Sequence, residues 1–275
     1  STRVSGIFKD ELILGSYLSR LFPLIFLSIP IFYYKNIKFD NLLKLLLIIL
    51  IGSTIYNTGE RSAFAYFFIT LILAFILLPN YRRIIIYSIS ILFISILSIS
   101  FFQPEVHKRM FHITIKNFEA GYVEHNRIIA FSNQHEAHYQ VAWEMFKDKK
   151  LFGHGPKLFR VKCKNYNEYG CSTHSHNTYM QLLSETGIIG FLIIFFVFIF
   201  ICYCLFIHFK ELIFKKQKIY NFNKIILLIC LFISLFPIIP TGNFFGNWLN
   251  TIYYIPIGII LFFNFQIRKP YTNIK

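Results

Sequence analysis

The 275-residue chain is 55% hydrophobic and 19% aromatic but only 15% charged, with a mean hydropathy of +0.53. A soluble domain covers its core with charge on about a quarter of its residues, so a water-surrounded globule is excluded. The formal charge of +15 fits Lys and Arg collecting at the cytoplasmic ends of membrane spans, and no basic-aromatic groove outside the apolar runs suggests a nucleic-acid partner.

The chain opens on Ser1 with no signal-peptide pattern, and it reads as the later part of a longer membrane protein. Seven apolar segments follow in order: Leu12 to Tyr34, Asn41 to Tyr56, Arg61 to Leu78, Ile84 to Phe102, Ile188 to His208, Ile225 to Ile239 and Trp248 to Phe265. Lys35, Lys38, Arg82, Arg83, Lys210, Lys215, Lys216, Lys218, Lys224, Arg268, Lys269 and Lys275 then all fall on one side, which the positive-inside rule makes cytoplasmic. The predicted fold is an all-α, polytopic transmembrane bundle with one large, partly helical periplasmic loop. Its parts are four spans over 1–102, the loop over 103–186 and three spans over 187–275.

The loop holds eight of the nine histidines, all but His208. Gln134 to Lys150 reads as an amphipathic helix carrying Val141, Trp143, Met145 and Phe146. In it, His135-Glu-Ala-His138 looks superficially like a zincin motif, but its histidines stand three apart instead of four; they read as solvated helix residues. Cys163 and Cys171 share the loop, where an oxidising compartment permits a disulfide around Asn165, Tyr166 and Tyr169.

The segment from Cys171 to Gly190 starts as a polar loop and becomes a helix. Thr178 and Gln181 have capping-box spacing, and Gly187 suits a helix end or a tight bend. His174 and His176 therefore stand before a helix N-terminus, which favours an anion. A titratable imidazole there suits general-base chemistry on a phosphate-activated substrate. A metal on His174 and His176, with His154 or Cys171, lacks the three or four clearly spaced ligands of a zinc site.

The pattern His176-Asn177, nine residues, Gly187, two residues, Gly190 resembles the signature of the O-antigen ligase and Wzy-type polymerase superfamily. Arg3-Val-Ser-Gly-Ile-Phe8, Thr58-Gly-Glu-Arg-Ser-Ala63, Arg127, Trp143 and Gly153-His-Gly155 follow the same family's order, while Ser175 stands where many relatives have Pro. The resemblance implies a glycosyltransferase-C-like fold in the bacterial inner membrane with its active site facing the periplasm. It also implies metal-independent transfer, with no cofactor, of a glycan from undecaprenyl diphosphate to a sugar hydroxyl such as that of lipid A–core. By the same carry-over His176 is the base, Arg61 and Arg127 bind the diphosphate, His174 and Asn177 line the substrate site, and Gly187 and Gly190 are structural. A polymerase of lipid-linked repeat units shares these motifs. A glycolipid transporter is the rival of another class, and it would place its ionisable groups at mid-membrane.

Overall fold

A computed structural model describes residues 4–9, 11–32, 37–116, 119, 132–214 and 222–268. Its principal helices are α1 (Leu14–Phe32), α2 (Ile37–Asn57), α3 (Arg61–Leu77), α4 (Arg82–Phe102), α5 (Asn133–Asp148), α6 (Thr178–Phe214), α7 (Phe222–Ser234) and α8 (Asn247–Arg268). No strand occurs among the described residues. Each of the seven apolar segments carries a helix over most of its described length, the sixth only as far as Ser234, which satisfies the backbone groups of those stretches without water. Three stretches, Phe39–Asn57, Pro79–Phe102 and Thr178–Phe214, are long and apolar enough to cross a membrane by length and composition. α3 and α7 are shorter apolar helices, and α1 and α8 are apolar over Leu14–Phe26 and Asn247–Phe262, the parts whose side chains are described.

On α4 the buried residues Ile85, Ser88, Leu92 and Ile96 recur every three or four positions, while Ile86, Tyr87, Phe93, Ile94 and Leu97 face outward. That is one helical face turned to protein and the other left for lipid. Hydroxyl pairs join α4 to α2 inside this apolar contact: Ser53 to Ser95 at 2.9 Å and Tyr56 to Ser100 at 2.7 Å. Such pairs keep polar groups satisfied where lipid offers no partner.

The helices alternate so that chemistry collects at one end. There, the Glu60 carboxylate just ahead of α3 accepts Gly15 N–H at 2.8 Å and both the N–H and the hydroxyl of Ser16, at 3.0 and 2.9 Å. It thereby caps the first turn of α1, which gives the Thr58-Gly-Glu-Arg stretch a structural reason. At the opposite end His208 near the close of α6 contacts the Leu77 carbonyl at 3.0 Å, and Phe222 packs on Tyr81 and Phe26.

α6 begins ten residues before the predicted span at Ile188, because the motif helix and the apolar helix are continuous through a kink at Gly187 (φ 67°, ψ −167°). Ahead of the kink, α6 joins α5 in a small cap with its own core of Val141, Ala142, Met145, Phe159 and Cys163.

Candidate functional site: a cluster of four imidazoles

α5 is started by Ser132, whose Oγ accepts His135 N–H at 3.3 Å. Spacing of three then puts His135 and His138 on one helical face. His138 is 3% exposed, and its Nδ1–H donates to the Gly170 carbonyl at 2.9 Å, which fixes the tautomer because a carbonyl only accepts. Against this face lies the turn that carries His174 and His176. Ring centroids stand 5.4 Å apart for His135 and His176, 5.1 Å for His138 and His176, and 4.1 Å for His174 and His176. The expectation that His135 and His138 are solvated is therefore corrected: the motif turn folds over their helix and covers them. Among the described residues, no three His, Cys, Asp or Glu side chains are arranged to hold a metal ion.

The turn is held from both sides. His176 takes a left-handed backbone (φ 56°), and its carbonyl accepts Thr241 N–H at 2.9 Å. Asn177 donates through Nδ2 to the Pro237 carbonyl at 2.6 Å, while its Oδ1 accepts Tyr179 N–H at 2.9 Å and Met180 N–H at 3.1 Å. Asn177 is thus the N-cap of α6. The expected Thr178–Gln181 capping box does not form: Gln181 bonds Phe244 N–H, Asn243 and Glu185 instead. Two of the first-turn N–H groups are consequently occupied by Asn177, so an anion here meets side chains rather than those open N–H groups. Ser175 is fully buried and donates to the Asn177 carbonyl at 3.1 Å.

Burial sets the electrostatics. It pushes the pKa of His176 down to about 3, with the neighbouring His174, His135 and His138 adding to the effect. His174 is pushed down to about 4, mainly by burial, with lesser contributions including His138 and the Arg160 guanidinium. His135 also falls to about 4, through burial first, then His138 and the charge of Arg61. All three are neutral at pH 7. Arg61, at the start of α3, donates to the Thr114 hydroxyl at 3.3 Å, and its charge is felt at His135. Arg127 lies outside the described residues, as does Arg3.

Sequence reasoning also missed Arg20. It is 1% exposed on α1, donates to the Ser16 carbonyl at 3.2 Å and to the Thr241 hydroxyl at 2.8 Å, and lies 4.4 Å from the centroid of the Tyr66 ring. Thr241 therefore bonds a buried guanidinium on one side and the His176 backbone on the other. The available signal was a lone Arg inside an apolar run, which marks a functional site by default. For His135 and His138 the signal was their shared helical face.

Cys163 and Cys171 form a disulfide with Cα atoms 5.0 Å apart, beside the cap core. Gly187 occupies a backbone region open essentially only to glycine, and a side-chain carbon there would lie 2.3 Å from the Leu151 carbonyl oxygen. Gly190 faces Thr186 one turn back on α6.

Fold and site together define an all-helical protein with helices apolar enough for a membrane and its imidazoles gathered in a cap at one end. The O-antigen ligase family model matches residues 46–195, more than half of the chain. The chain belongs to that family, whose members are membrane-embedded, glycosyltransferase-like enzymes of the ligase or polymerase kind acting on lipid-linked glycans. No curated protein and no solved structure matches it.

Proposed function

We propose that this chain carries the active site of an O-antigen ligase-type glycosyltransferase, in which His176 activates the acceptor hydroxyl. The hydroxyl gives its proton to His176, its oxygen bonds to the anomeric carbon, and the bond from that carbon to the lipid diphosphate breaks with both electrons leaving on the diphosphate. The donor is an undecaprenyl-diphosphate-linked glycan and the acceptor a sugar hydroxyl of lipid A–core. The chain crosses the inner membrane seven times, with 103–186 as the periplasmic cap. Arg61 and, by resemblance, Arg127 take the charge that develops on the leaving group, as planar guanidinium groups do for diphosphates.

The observation that supports this reading is that His176 packs in one buried cluster with His174, His135 and His138, and that the charge of Arg61 is felt at His135 in that cluster. A neutral imidazole is in the right protonation state to accept a proton, but one with a pKa near 3 holds it weakly. An incoming diphosphate supplies the remedy. Negative charge beside the cluster stabilises the imidazolium, so His176 gains basicity when donor is bound and stays inert without it.

The test is His176→Ala in the full-length protein, reconstituted with lipid-linked donor and core acceptor. Removal of a general base costs about 10²–10⁴-fold in rate; undiminished transfer sinks the assignment. Deleting the gene separates the products: unextended core with stranded donor is expected, whereas core bearing a single repeat unit marks a polymerase.

A further inference from the structure

Between α5 and the motif, the chain makes a tight excursion whose tip exposes two large apolar side chains, Leu151 at 61% and Phe152 at 74%. The tip is clamped to the kink of α6: Ile188 N–H donates to the Lys150 carbonyl at 2.8 Å and Ile189 N–H to that of Leu151 at 3.5 Å. This is where α6 changes environment. Before Gly187 it buries Gln181, Leu182, Leu183, Ser184 and Glu185; beyond it, Ile189, Ile193, Phe196 and Phe200 point outward on a helix suited to cross a membrane.

We propose that the Leu151–Phe152 tip is a membrane wedge that inserts into the headgroup–acyl boundary of the outer leaflet, with phospholipid as its partner. Three features select lipid over a protein partner. The tip lies beside the first lipid-facing turn of α6, so its apolar surface continues one already turned to the bilayer. Exposed Lys149 and Lys150 flank it, as cations do on segments that lie at a membrane surface and reach for phosphates. Its backbone is fixed at that level by the bonds to α6, which holds the apolar side chains at interface depth.

The wedge also sets the height of the cap. Directly after the tip, His154 N–H donates to the Ser184 carbonyl at 3.0 Å and Gly155 N–H to that of Glu185 at 2.8 Å. The Glu185 carboxylate in turn accepts Lys157 and Phe159 N–H at 3.0 and 2.9 Å. A tip held in lipid therefore fixes the first turns of α6, which follow directly on the His176 turn, relative to the bilayer plane. This inference does not depend on the proposed reaction.

The test places an environment-sensitive fluorophore at F152C in the full chain, with Cys202, Cys204 and Cys230 replaced by Ala and the disulfide kept. The protein is reconstituted in phosphatidylethanolamine–phosphatidylglycerol vesicles, and Y169C, at an exposed cap position, is the reference. The label at 152 should emit at shorter wavelength than at 169, be quenched several-fold more by shallow nitroxide-labelled lipid, and be several-fold less accessible to aqueous iodide. Matching behaviour at the two positions overturns the proposal. Shielding of 152 from both quenchers also overturns it and indicates a protein partner. L151C carries the same measurement should F152C fail to fold.

Discussion

His176 shares its burial with three other imidazoles, and that shared burial has a pH signature. The pKa values of His174 and His135 fall to about 4 and that of His176 to about 3, from an ordinary 6.5. Below pH 6.5 the unfolded chain therefore binds protons that the folded cap does not, so acid favours unfolding. The contribution is fully present above pH 6.5 and is lost as pH falls towards 4 and below. The thermal midpoint of the cap, followed by the fluorescence of Trp143, should drop steadily across that window, and replacing His135 with Gln should flatten the drop. His138 acts by geometry. His138→Ala leaves the Gly170 carbonyl without its donor and should destabilise the cap by about 1–3 kcal/mol; His138→Gln, which keeps a donor, should recover much of that in chemical unfolding. His176 was legible because its spacing to two glycines carries a family resemblance. His135 and His138 were not, since a helix shows which residues share a face but not what will cover that face. Arg20 hid for a related reason: the apolar run from Leu21 to Leu27 disguises a charge whose partners, Thr241 and Tyr66, come from distant sequence.

At the scale of elements, the start and the kink of α6 carry the most consequence. Asn177 does two jobs with one amide, capping the helix through Oδ1 and latching Pro237 through Nδ2. Asn177→Ala loses both, and the cap alone is worth about 0.5–2 kcal/mol. Asn177→Asp keeps the cap acceptor but sets a carboxylate oxygen against the Pro237 carbonyl. Transfer activity should therefore fall in both variants, with helix stability better preserved in Asp; equal loss of stability in the two, by hydrogen exchange over 178–186, contradicts the division of labour. Gly187→Ala meets a harsher barrier. Strain of about 1–3 kcal/mol from the backbone region alone adds to a carbon placed 2.3 Å from the Leu151 oxygen. The variant should be nearly absent from membranes by immunoblot. Capping-box spacing pointed to Thr178 one residue too late, because local spacing cannot tell which neighbour also has a distant carbonyl to grasp.

Taken whole, the molecule separates a lipid-suited bundle from a cap stapled by Cys163–Cys171. Closing so short a loop contributes about 2–3 kcal/mol by chain entropy, so Cys163→Ser with Cys171→Ser should lower the cap's unfolding midpoint while leaving the bundle's unchanged. Apolar run length made the helical bundle legible from the sequence, and the structure seats a helix on every run. Run length could not foresee where the helices end: the run from Ile225 to Ile239 carries a helix only as far as Ser234, and the run at Ile188 is continued backwards by the motif helix to Thr178. The grip on the motif turn has a further bearing on how such chains are dissected. The stretch that earns family membership closes at residue 195, yet Leu235, Pro237, Thr241, Asn243 and Phe244 grasp the turn and its helix, and Arg20 braces Thr241 from the other flank. A fragment trimmed to the recognisable stretch would keep the whole pattern from His176 to Gly190 and lose the hand that holds it in place.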